Sequence, residues 1–98
     1  MKVENLINNN GNRAVNQFVI YANNCIYFQS YDSMIAKYDR KSGKLYITKN
    51  WDYSVTTRKH FYIWLRRYTN YNPTRENVLR CINYGVFDLV SEDTLLID

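Results

Sequence analysis

The chain contains few of the residues that build catalytic or metal sites. Its 98 residues include two cysteines, Cys25 and Cys81, and one histidine, His60. These residues lie far apart and form no CxxC pair or Cys/His cluster, so we expect no metal site. A general base needs a positioned partner, and the sequence shows none for His60. Because GxSxG, phosphate-loop and HExxH motifs are also missing, the sequence predicts a protein that is not an enzyme, has no cofactor and acts on no evident small-molecule substrate.

Long apolar segments are missing as well. No run of about 18 apolar residues occurs, so no transmembrane helix and no membrane partner are expected. The first residues, MKVENLINNNGN, lack the apolar core of a signal peptide. A cytoplasmic location with two unpaired thiols is therefore predicted, and a single disulfide is the alternative that two cysteines leave open. The length and the 46% hydrophobic content fit one folded domain, residues 1–98.

Positive charge and tyrosine are abundant instead. Residues 86–98 hold four acidic and no basic side chains, so residues 1–85 carry 13 basic against five acidic groups. The aromatic residues are ten Tyr, four Phe and two Trp. Such a charge attracts polyanions or acidic protein surfaces, and tyrosines suit binding faces. A solvated charged face and an AT-rich gene explain the same composition and remain alternatives.

The hydrophobic pattern changes once along the chain. Residues 15–49 alternate apolar and polar positions between turns, of which Asn23–Asn24 suits a tight hairpin. After residue 54 the spacing becomes helical, with Phe61 and Trp64 on one face. The predicted fold is α+β, an antiparallel four-stranded β-meander followed by two α-helices packed on one of its faces. The predicted segments are a flexible N-terminal arm (1–14), the β-meander (15–49), two helices (54–69 and 73–84) and an acidic tail (86–98).

The first helix carries the stronger binding signal. Lys59, Tyr62 and Arg66 follow i, i+3, i+7 spacing and share one side of the helix, with Arg58 and Arg67 beside them. Arginines bind phosphate or carboxylate through a two-pronged fork, and tyrosines stack on bases. We therefore predict that these five residues bind nucleic acid or an acidic partner. The alternative is that Tyr62 covers the edge of the core while the arginines keep the helix solvated.

The outward face of the predicted sheet is a second candidate. Tyr27, Lys37 and Tyr46 fall on that face by alternation. A sheet that carries aromatic and basic side chains resembles, in physical terms, the stacking surface of single-strand RNA binders. No RNP-type motif is present, however, and a β-meander followed by helices differs from the βαββαβ order of that class. A half-buried sheet without ligand is the alternative.

Two segments resemble a small family of phage-encoded proteins of unknown function. They are FQSYxSxIA, at residues 28–36, and WDYSxTTxKH, at residues 51–60, and the resemblance extends over roughly residues 16–68. It implies a phage or mobile-element gene in a low-GC bacterium. Small proteins from such genomes often act as host-takeover factors, including anti-CRISPR inhibitors, which act by binding. The resemblance transfers no catalytic residue.

The leading hypothesis is thus an inhibitor of a host defence complex, such as a CRISPR effector, that acts by stoichiometric binding to protein, to RNA or to both. A stand-alone RNA- or DNA-binding protein with a basic, tyrosine-rich surface is the alternative. A small enzyme that depends on His60 is the third hypothesis.

Overall fold

The computed structural model describes residues 1–97, and within them six strands form a single sheet. The strands are β1 (Lys2–Ile7), β2 (Arg13–Ala22), β3 (Cys25–Ser30), β4 (Ser33–Asp39), β5 (Leu45–Ile47) and β6 (Phe87–Leu89). The α-helices are α1 (Val55–Tyr68) and α2 (Arg75–Asn83), and short 3₁₀ helices span Lys49–Asp52 and Glu92–Leu95. The α+β class is therefore confirmed.

The sheet is larger than predicted and mixed in direction. Strands β1 to β5 pair antiparallel in chain order, and β6 then pairs parallel to β5, with Leu45 opposite Phe87. The predicted four-stranded meander corresponds to β2–β5, and its tight turn forms as expected, with φ of 54° at Asn23 and 64° at Asn24. The meander alone is an incomplete description, because one further strand lies on each side of it.

The prediction of a flexible arm at residues 1–14 is wrong. Residues 2–7 form β1, which pairs with β2, and Leu6 is fully buried. The Asn-rich loop that follows is ordered by its own side chains, since Asn8 Oδ1 accepts hydrogen bonds from the backbone N–H groups of Asn10 and Asn12. Asparagine often closes turns in this way, so an Asn-rich segment need not be disordered.

Both helices pack on one face of the sheet, as predicted. Phe61, Trp64 and Leu65 of α1 are fully buried, and the Trp64 ring lies 6.2 Å from that of Phe28 on β3. Val78 of α2 joins the same cluster. Each helix begins at a side-chain cap that accepts a hydrogen bond from a backbone N–H, Ser54 for α1 and Thr74 for α2. The observed bounds lie within two residues of the predicted ones.

The other face of the sheet is covered by the C-terminal segment. Leu95 is buried against Ile20, Cys25, Tyr27 and Met34. The predicted acidic tail is thus a packed element that contains β6 and a 3₁₀ helix. Burial of its apolar residues, and not its charge, determines where it lies. Asp98, the last residue of the predicted tail, lies outside the described residues. No helix in residues 1–97 is long and apolar enough to cross a membrane.

Candidate polyanion-binding groove and a neighbouring pocket

A groove of about 300 Å³ runs along the outer side of α1. It brings together four of the five residues that the helical spacing predicted as binding residues, since only Arg67 is absent from its lining. The loops before β2 and before α2 contribute one residue each, which the sequence did not indicate. The lining residues are Asn9, Val55, Arg58, Lys59, Tyr62, Ile63, Arg66 and Pro73.

Lys59 and Arg66 are the open cations of the groove. Both are exposed, and neither has an ion pair with any residue in the described range 1–97. Arg67 behaves differently, because its Nη1 donates a hydrogen bond to the carbonyl oxygen of Ile7 at 2.7 Å. Arg67 therefore links α1 to the end of β1, whereas the charged groups of Lys59 and Arg66 remain exposed to solvent.

Arg58 is held at the groove wall by a carboxylate. Asp52 binds Arg58 through Oδ1 and Arg75 through Oδ2, the latter at 2.7 Å. The hydrogen bond from Arg58 to Asp52 raises the pKa of Arg58 further above its already high value. One carboxylate thus positions two guanidinium groups, and the three residues together keep a net charge of +1. The sequence pattern does not indicate that Asp52 or Arg75 belongs to this site.

Tyr62 contributes a hydroxyl that is buried without a partner. Its ring packs 6.5 Å from Trp51 and 6.1 Å from Phe61, as the core-edge alternative expected. Its Oη is inaccessible to solvent and forms no hydrogen bond with a described residue. Burial raises the pKa of Tyr62, so the hydroxyl keeps its proton at neutral pH. Tyr62 is therefore both a packing residue and an unused donor beside the cations of the groove.

The predicted stacking surface on the sheet is not open. Tyr27 is only 3% exposed, because the C-terminal segment lies over it. Lys37 Nζ lies 5.8 Å from the ring centroid of Tyr27 and 5.4 Å from that of Tyr46, at cation–π distances. The prediction that Tyr27, Lys37 and Tyr46 form an outward binding face is wrong for Tyr27, and the other two belong to a packed cluster.

The acidic C-terminal segment does not neutralise the groove. Asp88 pairs with Lys44 at 3.2 Å, and Glu92 accepts a hydrogen bond from Asn50 at 3.0 Å. Within residues 1–97 no ion pair links this segment to α1. The sheet separates the two, with α1 packed on one face and the C-terminal segment on the other.

A second pocket, also of about 300 Å³, adjoins the beginning of α1. It lies where the β3–β4 turn meets the segment between β5 and α1, and seven of its eight lining residues belong to the two segments 28–36 and 51–60. The sequence pattern does not indicate this pocket, because its members carry no charge and come from distant parts of the chain. They are Ser30, Tyr31, Ser33, Ile35, Asn50, Tyr53, Ser54 and Thr57.

Comparison with known proteins gives a family but no activity. No curated protein matches the chain, and no solved structure matches it. Residues 1–78 match the model of a family of unknown function, DUF8033. This match extends from β1 into α2 and includes every lining residue of the groove and of the second pocket. The chain therefore belongs to this family of unknown function, DUF8033.

Proposed function

We propose that this protein is a stoichiometric binding protein that contacts a polyanionic partner through the α1 groove and performs no catalysis. The observation that carries the proposal is the exposed pair Lys59 and Arg66, which form no ion pair in the described range and lie in the same groove as Arg58. Guanidinium and ammonium groups both donate hydrogen bonds, so the groove suits phosphate or carboxylate oxygens.

The proposed biological role is inhibition of a host defence complex, such as a CRISPR effector, in the bacterial cytoplasm. The resemblance of residues 28–36 and 51–60 to phage-encoded proteins supports this role, and so does the groove, because such complexes expose nucleic acid and the surfaces that hold it. Binding at that surface blocks the complex without any reaction.

A stand-alone RNA- or DNA-binding protein is the second candidate function. The observation that favours it is the second pocket, whose rim carries two exposed tyrosines, Tyr31 and Tyr53. Aromatic side chains stack on unpaired bases with little dependence on sequence. This tyrosine pair replaces the sheet-face tyrosines as the place where bases would stack.

The groove is tested by the salt dependence of binding to a labelled single-stranded oligonucleotide. Each phosphate contact contributes about 0.7 to the slope of log K against log salt concentration for single strands, so we expect Lys59→Ala/Arg66→Ala to lower the slope by about 1.4. Lys41→Ala/Lys49→Ala removes two exposed lysines elsewhere and is the matched control for net charge. Equal slopes for the two double variants would remove the groove from the mechanism.

The role in host defence is tested by capture from a lysate of the host. We expect the wild type and the Lys41→Ala/Lys49→Ala control to retain the same complex and Lys59→Ala/Arg66→Ala to lose it. Mass spectrometry of the protein and sequencing of the nucleic acid identify the partner. Recovery of the same complex with all three proteins would contradict a role for the groove in binding it.

A further inference from the structure

We propose that the pocket between the β3–β4 turn and the beginning of α1 binds one unstacked nucleobase of a single-stranded nucleic acid. The neighbouring phosphates of that strand lie in the α1 groove, so this inference rests on the proposed function for its phosphate contacts. The inference adds to the proposed function the chemical class of the partner and a second binding site. The residues of that site are Ser30, Tyr31, Ser33, Asn50, Tyr53 and Thr57.

The first observation is a chain of three hydrogen-bonded hydroxyl groups in the lining of the pocket. Ser54 donates its proton to Thr57 Oγ1 at 3.2 Å, and Thr57 and Ser30 share one further hydrogen bond at 3.0 Å. Ser30 is 2% and Thr57 4% exposed, so two of the three hydroxyls are buried. Each hydroxyl has one donor and two acceptor positions, so the three groups keep hydrogen-bonding capacity for a polar ligand.

The second observation is that the lining offers hydroxyl and amide groups but contains no Asp, Glu, Lys, Arg or His side chain. Ser33 forms no side-chain hydrogen bond in the described range, and Asn50 donates its amide to Glu92, which leaves the amide oxygen of Asn50 as an acceptor. Hydroxyl and amide groups match the mixed donors and acceptors of a base edge, whereas a phosphate or carboxylate would find no cation here.

The third observation is the pair of tyrosines at the rim. Tyr53 is 82% and Tyr31 52% exposed, so both rings offer a large apolar surface to solvent. Bases stack on such rings. The carboxylates that give an acidic protein its charge have no ring to stack on tyrosine, so the pocket favours nucleic acid over an acidic protein surface.

Tyr31 also occupies an unfavourable backbone conformation. Its φ is 54°, whereas the other described non-glycine residues with positive φ are all asparagines. The conformation is held by two hydrogen bonds, from Tyr31 N–H to the Asn16 carbonyl oxygen and from Gln29 Nε2 to the Tyr31 carbonyl oxygen. Strained residues of this kind concentrate at ligand sites. A bulky ring at a position that favours Gly or Asn is consistent with a role for that ring in binding.

The pocket and the groove adjoin along α1. Ser54 and Thr57 line the pocket, while their immediate neighbours Val55 and Arg58 line the groove. Consecutive helical residues rise by about 1.5 Å, so the two sites meet within the first turn of the helix. A single strand whose base enters the pocket therefore passes its backbone directly to Arg58 and Lys59.

The test compares two tyrosine variants with a matched control. Tyr53→Ala removes an exposed ring, and Tyr31→Asn removes a ring while keeping a residue that tolerates positive φ. Tyr84→Ala removes an equally exposed tyrosine, 79% accessible, at the end of α2. Fluorescence anisotropy measures binding of a labelled oligonucleotide of about ten nucleotides, a usual length for single-strand sites. Competition with inorganic polyphosphate and with polyglutamate reports on charge alone.

We expect Tyr53→Ala and Tyr31→Asn each to weaken oligonucleotide binding by about 5- to 150-fold, the range for loss of one stacked base. Their salt slope and their affinity for polyphosphate stay unchanged, and Tyr84→Ala binds like the wild type. Unchanged oligonucleotide binding by both variants would overturn the base pocket while leaving the groove intact. Binding of polyglutamate without binding of the oligonucleotide would overturn it in favour of an acidic protein partner. Absence of binding to all three probes would overturn the groove and the pocket together.

Discussion

Tyr31 illustrates how a single residue can oppose the stability of its own turn. Asn23 and Asn24, at the β2–β3 turn, have positive φ and the side chain that tolerates it best. Tyr31, at the β3–β4 turn, also has a positive φ and carries a large ring that is half exposed. The chain thus uses Asn at one hairpin and Tyr at the next, and only the second hairpin borders a pocket.

We expect Tyr31→Asn to raise the free energy of unfolding by up to about 1 kcal/mol, because Asn relieves the strain of a positive φ. Denaturant unfolding measures the change. Asn23→Tyr is the reciprocal control and should lower stability by a similar amount. A loss of stability in Tyr31→Asn would mean that the ring packs favourably enough to outweigh its backbone, and that the turn is not strained by it.

At the scale of elements, the C-terminal segment changes the role of a whole sheet face. Val90 and Ile97 pack beside the buried Leu95, and together they cover Cys25 and Tyr27. Burial raises the pKa of the Cys25 thiol. The face that sequence alternation assigned to ligand binding is therefore a second, smaller core, whereas the helical face keeps Lys59 and Arg66 exposed.

Two adjacent leucines of this segment provide a test. Leu95 is 2% exposed and Leu96 is 65% exposed. We expect Leu95→Ala to lower the free energy of unfolding by about 2–5 kcal/mol and Leu96→Ala to change it by less than about 0.5 kcal/mol. Thermal or denaturant unfolding distinguishes the two. Equal, small effects would show that the C-terminal segment does not cover the sheet in solution.

The elements that could be predicted from sequence are those determined by local signals. The helices have apolar residues every three to four positions and a Ser or Thr cap, so their bounds were predicted closely. Strand β6 has three residues and pairs with β5, about forty positions earlier in the chain, and nothing local indicates that pairing. Strand β1 was missed because its one buried side chain, Leu6, gives no periodicity.

For the candidate sites as well, residues placed by local spacing could be predicted and residues brought together by tertiary packing could not. Helical spacing places Lys59, Tyr62 and Arg66 on one side of α1 with Arg58 beside them, so these four residues of the groove could be predicted together. Arg67 was also predicted as a binding residue; it lies outside the groove lining, and its hydrogen bond to Ile7 depends on where β1 lies. The pocket was not predicted because residues 30–35 and 50–57 meet only through tertiary packing, and its uncharged hydroxyls give no signal in a charge pattern.

For the whole molecule, the sheet separates two unlike surfaces. The α1 side carries the open cations Lys59 and Arg66, and the opposite side carries the acidic C-terminal segment, whose Asp88 and Glu92 contact Lys44 and Asn50. Such a charge distribution orients the molecule as it approaches a polyanion and accelerates productive encounters. The central claim is therefore that one side of the molecule, α1 with the adjoining pocket, is the binding surface.

A nitrogen–proton NMR correlation spectrum of the protein, titrated with a single-stranded oligonucleotide, tests this claim most directly. We expect chemical-shift changes to concentrate at residues 50–66 and at the β3–β4 turn, with β6 unaffected. Shift changes confined to β6 and the C-terminal segment, or a spectrum that does not change at low salt, would contradict the account.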